Sequence, residues 1–149
     1  MGGVPSQVVS LRLPVDQARR LKRLARRLGK SASETGALLI DEGLRQSEFA
    51  YIEFRDSTAG RQAYLKGSSL AVWEVILVAQ HYQLDAEKAA AHLEWPIVKV
   101  QAALNYAAAF PEEVRLAIED NREVDFNSLK KMLPGLKPVA VRGKRSARK

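Results

Sequence analysis

Residues 8–13, Val8-Val9-Ser10-Leu11-Arg12-Leu13, alternate between two sets of side chains, and Pro14 comes directly after them. A period of two is the mark of a strand with one dry and one wet face. It puts Val9, Leu11 and Leu13 on one side and Val8, Ser10 and Arg12 on the other. Pro14 has no N–H to donate, so the ladder ends there. The next thirty residues are helical in pattern, which leaves this short strand without a neighbour. An isolated strand does not hold in water, so a second chain has to supply its partner.

Ala18, Leu21, Leu24, Ala25 and Leu28 recur at helical spacing over Val15–Leu28. The opposite face carries Arg19, Arg20, Lys22, Arg23, Arg26 and Arg27, and Gly29 stands where a left-handed cap ends a helix. Ser31-Ala32-Ser33-Glu34 then reads as a capping box opening a second helix, with Ala37, Leu38, Leu39, Ile40 and Leu44 as its apolar positions. Gly36 and Gly43 inside that helix each cost about 1 kcal/mol against alanine, which suggests that another backbone packs closely there.

Charge divides the chain into three blocks. Residues 1–46 carry nine Lys/Arg against four Asp/Glu, residues 47–136 nine against thirteen, and residues 137–149 six against none. The outer blocks suit an anionic partner and the middle block does not. Without cysteine there is neither a disulfide framework nor a thiolate zinc site. No apolar run reaches the ~18–20 residues that span a bilayer, and no secretory segment opens the chain, so no membrane partner and a cytoplasmic location are expected.

A two-stranded ribbon is one of the shapes the DNA major groove admits. Its wet face would offer Val8 to a thymine methyl, Ser10 as donor or acceptor, and Arg12 as a bidentate reader of guanine. The start of the second helix would offer the backbone N–H groups of Lys30, Ser31 and Ala32 to a phosphate. Strand, Pro14, basic helix, Gly29-Lys30-Ser31 turn and second helix together resemble the ribbon-helix-helix family of bacterial repressors and antitoxins. The resemblance implies a homodimer or higher assembly, strands paired antiparallel, four helices clasped in one core, and operator DNA as a partner. Val8 stands where that family's pattern carries a polar residue. The arginines of the first helix are better read as solvated or steering charges than as specific contacts.

Beyond a boundary at Gln46-Ser47-Glu48, Phe49–Phe54 and Arg61–Leu65 read as short strands joined by turn residues Asp56–Gly60. Helices are expected over about 71–82, 85–93, 96–109 and 111–121. Pro96 and Pro111 sit at first turns, and Glu94-Trp95 gives the spacing of a helix-turn-helix. Trp73, Trp95, Tyr106 and Phe110 are read as core. The stretch Gly67–Val75, that helix pair and Ala102–Ala109 are similar to a small antitoxin domain that accompanies PIN-like ribonucleases. Leu70 lies in the region where that motif carries arginine. This resemblance implies a PIN-domain ribonuclease toxin as second partner. Residues 96–109 would also serve as a DNA recognition helix, but Lys99 and Gln101 are its only early polar readers and the block is acidic, which favours protein contact.

Ser128–Leu133 suits a further helical turn or two, and the last thirteen residues have too little apolar surface to fold alone. An arginine that enters the acidic metal cluster of a PIN active site would neutralise it by charge-assisted hydrogen bonds, and Arg142, Arg145 and Arg148 are the candidates. His81 and His92 lie on different helices without cysteine or a paired carboxylate, so no metal and no cofactor are expected. Glu112-Glu113 and Glu119-Asp120 read as helix-start and solvent charges. No catalytic residues are identified, and no enzyme is expected.

The expected class is mainly α with short β. Residues 1–46 form a ribbon-helix-helix unit, 47–121 a β-hairpin followed by a helix-turn-helix domain, and 122–149 a basic tail. An autorepressing antitoxin is the expected function. The alternatives are a stand-alone ribbon-helix-helix transcriptional repressor and a chromosome- or plasmid-organising protein.

Overall fold

The computed structural model describes residues 5–58 and 60–121. These residues form six helices and one two-stranded antiparallel sheet, a mainly helical chain with a little β. Two compact units meet in sequence at Gly43/Leu44. That point lies inside the second helix, slightly ahead of the boundary read after Gln46.

In the first unit α1 spans Val15–Leu28. Its apolar stripe faces inward as the spacing requires: Ala25 is buried, and Ala18, Leu21, Leu24 and Leu28 are half-buried. The six basic residues of the other face are all exposed. Gly29 takes the left-handed conformation at φ 68°, and the Lys30 N–H closes the helix on the Ala25 carbonyl at 3.0 Å.

The segment ahead of α1 departs from expectation. Residues 5–14 form no strand, so the ladder read over Val8–Leu13 is not made in the single chain. The reason is physical: a strand is defined by its neighbour, and no described segment of this chain pairs with it. The side chains assigned to the dry face therefore lie open, with Val9 74%, Leu11 64% and Leu13 38% exposed.

Helix α2, Ala32–Glu48, shows a related departure. Its buried residues are Thr35 and Glu42, while Leu39, Ile40 and Leu44 of the expected apolar face are exposed. The Thr35 hydroxyl is fully buried and has no hydrogen-bond partner among the described residues. A Cβ on Gly36 would touch the Leu21 side chain at 3.9 Å, an ordinary contact, and one on Gly43 would meet open space. Among the described residues, no backbone makes the close approach expected at these glycines.

In the second unit α2 runs on through Glu48, and the Phe49 N–H donates to the Arg45 carbonyl at 2.8 Å. The chain then turns through Tyr51 at φ 66°, so β1 spans Ile52–Ser57 and begins later than the strand read from Phe49. Phe49 leaves the strand because its ring packs edge-on against Tyr106 and Phe110, at 5.6 and 5.7 Å. β1 pairs with β2, Gly60–Leu65, and the pairs Ile52↔Leu65 and Phe54↔Ala63 set one face of the hairpin toward the core.

Helices α3 (Val72–His81), α4 (Ala86–Leu93), α5 (Ile97–Ala109) and α6 (Pro111–Asp120) complete this unit. Its core is built from Val72, Val75, Val78, Val100 and Tyr106, none more than 2% exposed. Of the aromatics read as core, Trp73 and Tyr106 are buried, whereas Trp95 and Phe110 are half-buried against it. Asp85 caps α4 by accepting from the Lys88 N–H at 3.1 Å. Glu94 ends α4 in the left-handed conformation at φ 58°. No helix among the described residues is long and apolar enough to cross a membrane.

Candidate nucleic-acid interface

The first unit collects the residues read as DNA-facing at two places. Val8, Ser10 and Arg12 lie in the irregular segment before α1, all exposed, Val8 by 90%. Without a ladder the single chain does not align them on one face. Lys30, Ser31 and Ala32 sit together in the turn between α1 and α2.

The capping box at that turn is complete. The Ser31 N–H donates to Glu34 Oε1 at 2.9 Å, and the Glu34 N–H donates to Ser31 Oγ at 3.0 Å. These bonds hold the Glu34 carboxyl below its ordinary range, the backbone donor contributing most. Two of the three N–H groups read as phosphate donors are thus engaged within the protein, Lys30 with Ala25 and Ser31 with Glu34. A phosphate reaching Ser31 displaces the Glu34 carboxylate.

Two polar clusters in the second unit have no precedent in the sequence reading. Arg45 Nη1 donates to the Tyr106 hydroxyl at 2.6 Å and to Glu113 Oε1 at 2.8 Å, while the Tyr106 hydroxyl donates to Glu113 Oε2 at 2.6 Å. The Arg45 guanidinium also lies over the Phe110 ring, 3.8 Å from its centroid. Burial, then the bond to Glu113, pushes the Tyr106 hydroxyl well above the ordinary tyrosine range. Burial opposes the Arg45 charge, but Glu113 and Tyr106 outweigh it and drive its pKa upward. Glu113, read as a solvent charge, is therefore a structural partner. Tyr106 and Glu113 lie 61 and 68 positions from Arg45, beyond any local pattern.

The second cluster joins the two histidines through Tyr82. Its hydroxyl meets His92 Nδ1 at 2.5 Å, and His81 stands edge-on to its ring at 5.0 Å. No group of three or more His, Cys, Asp or Glu among the described residues is placed to hold a metal ion. Lys99 packs over the Trp95 ring at 4.5 Å, and Gln101 is exposed on α5. Arg142, Arg145, Arg148 and the turn read over Ser128–Leu133 lie outside the described residues.

The chain matches no family model, no curated protein and no solved structure.

Proposed function

We propose that the chain is a dimeric DNA-binding repressor whose first unit pairs strands across two copies and reads a DNA major groove. One observation carries this reading. An alternating apolar segment and the α2 residues Leu39 and Ile40 lie exposed in the single chain, in the same unit as a helix face with six basic residues. Val9, Leu11, Leu13, Leu39 and Ile40 of the first unit all lie exposed, and exposed apolar side chains gathered in a small unit favour an interaction surface. Pairing two copies buries it and turns Val8, Ser10 and Arg12 toward the groove, twice over by symmetry.

The reading extends to an antitoxin that represses its own operon and holds a PIN-domain ribonuclease inactive. Its support is the acidic block behind a basic unit, together with the motifs around Trp73 and Tyr106. Arg142, Arg145 and Arg148 remain the candidates for neutralising the acidic metal cluster of such an enzyme.

The test is titration of the full chain against the DNA upstream of its own gene, read by fluorescence anisotropy. Arg12→Ala costs about 1–3 kcal/mol on that DNA and little on random DNA of the same length. An equal loss on both sequences contradicts base reading by Arg12. Co-expression with the adjacent gene separates the antitoxin from a solitary repressor, because only the antitoxin restores growth to cells producing a ribonuclease.

A further inference from the structure

Every exposed residue of α1 from Arg19 to Arg27 is basic. At 3.6 residues per turn, the six of them cover about 160° of the helix circumference. Arg19, Arg23 and Arg27 follow one another nearly in line, about 6 Å apart at a rise of about 1.5 Å per residue.

The helix alone does not account for this concentration of charge. Arg26 and Arg27 stand in the last turn, where the helix dipole favours cations. The pairs Arg19–Arg23, Lys22–Arg26 and Arg23–Arg27, however, set like charges side by side four positions apart, which destabilises a helix. Among the described carboxylates Asp16 alone comes within reach of the face, 3.9 Å from Arg19 and from Arg20. All three side chains are at least 64% exposed, so these ion pairs contribute little. Repulsion of this kind turns into attraction once an anionic partner lies along the face.

Two features choose among anionic partners. Five of the six residues are arginine, whose planar guanidinium meets a phosphate through two parallel hydrogen bonds. The apolar stripe of α1 is turned inward, so the face offers neither the apolar wedge that a lipid surface takes in nor the apolar centre of a protein interface. A nucleic-acid backbone needs neither. Arg19 to Arg27 span about 12 Å, over which one strand of duplex DNA presents about three or four phosphates.

We propose that the outward face of α1 grips the phosphate backbone of DNA without regard to sequence, and does so in the single chain. This contact goes beyond base reading by Val8, Ser10 and Arg12, and it stands whether or not two copies pair.

Fluorescence anisotropy of the full chain on random-sequence duplex DNA, repeated over a series of salt concentrations, tests it. Arg19→Gln, Arg23→Gln and Arg27→Gln together weaken binding by about tenfold or more at low salt. They also lower the slope of log K against log salt by about 2–3, because each phosphate contact contributes about 0.9. Glutamine matches arginine in helix propensity, and an unchanged far-UV circular dichroism spectrum shows that α1 is retained. The same loss appears on the DNA upstream of the gene, and again when the three glutamines are added to Leu11→Asp, which removes pairing through the first unit. Unchanged affinity and slope overturn the proposal, as does a loss that vanishes in the Leu11→Asp chain. Tighter binding to phosphatidylserine vesicles or to poly-glutamate than to random DNA, lost in the same variant, overturns it in favour of a lipid or an acidic protein. Equal losses on both DNAs from Arg12→Ala count against base reading instead and leave this contact standing.

Discussion

Arg45, Tyr106 and Glu113 show how much a single residue's role depends on contacts remote in sequence. Tyr106 was legible as core from its place at the end of an Ala-rich helix. Its hydroxyl partners were not, because no spacing rule connects an arginine in one helix with a glutamate 68 positions away. Tyr106→Phe removes a hydroxyl of a buried residue that both accepts and donates, and denaturant unfolding is expected to show a loss of about 1–3 kcal/mol. The same geometry favours the protonated hydroxyl. Its stabilising effect is complete below the unfolded tyrosine pKa of about 10 and declines as pH rises toward the elevated folded value. Alkaline absorbance titration of the parent chain beside Tyr106→Phe should therefore show that Tyr106 ionises only as the chain unfolds. Glu34 behaves in the opposite sense. Its depressed pKa makes the capping box complete above the ordinary carboxylate range and loses it as pH falls through the folded value. The Ser31 amide resonance should titrate with a midpoint below that of an ordinary glutamate, and a midpoint at or above it contradicts the bond.

At the level of elements, the helices were legible wherever a local signal existed. Gly29 and the Ser31–Glu34 box bound α1 and α2, and Pro96 and Pro111 mark the starts of α5 and α6. Misplacement of β1 has a clear cause. Phe49-Ala50-Tyr51 has strand composition, but the aromatic ring of Phe49 gains more from Tyr106 and Phe110 than from a ladder. In α2 Thr35 and Glu42 are buried while Leu39, Ile40 and Leu44 lie exposed, and the proposed pairing of two copies would cover the exposed positions. Gly43 tests this. In the single chain no described atom beyond its own helix backbone lies within 4 Å of an added Cβ, so Gly43→Ala raises helix stability by about 1 kcal/mol. If a second copy's backbone packs there, the same change weakens association, and measuring both quantities on one variant separates the effects. Glu94 offers a simpler case. It holds a left-handed conformation that glycine adopts freely, and Glu94→Gly should raise the unfolding midpoint by an amount equivalent to about 0.5–1 kcal/mol.

For the molecule as a whole, charge alternates along the chain, and the proposed function gives each block its own partner. A first unit with an exposed basic helix face precedes a second whose described residues are net acidic. Salt dependence of DNA binding should then arise from the basic blocks, steepening with each phosphate they neutralise. The proposal of a second copy rests on Val8–Leu13, since an alternating strand without a neighbour is incomplete. Among the described residues no segment pairs with it, and the pairing across two copies is the central claim. Selection of binding sequences from random DNA, with the parent chain and Arg12→Ala side by side, tests it most directly. The account predicts that the parent enriches a motif with twofold symmetry and that Arg12→Ala loses it. Enrichment of no motif, or of the same motif by both proteins, would contradict it.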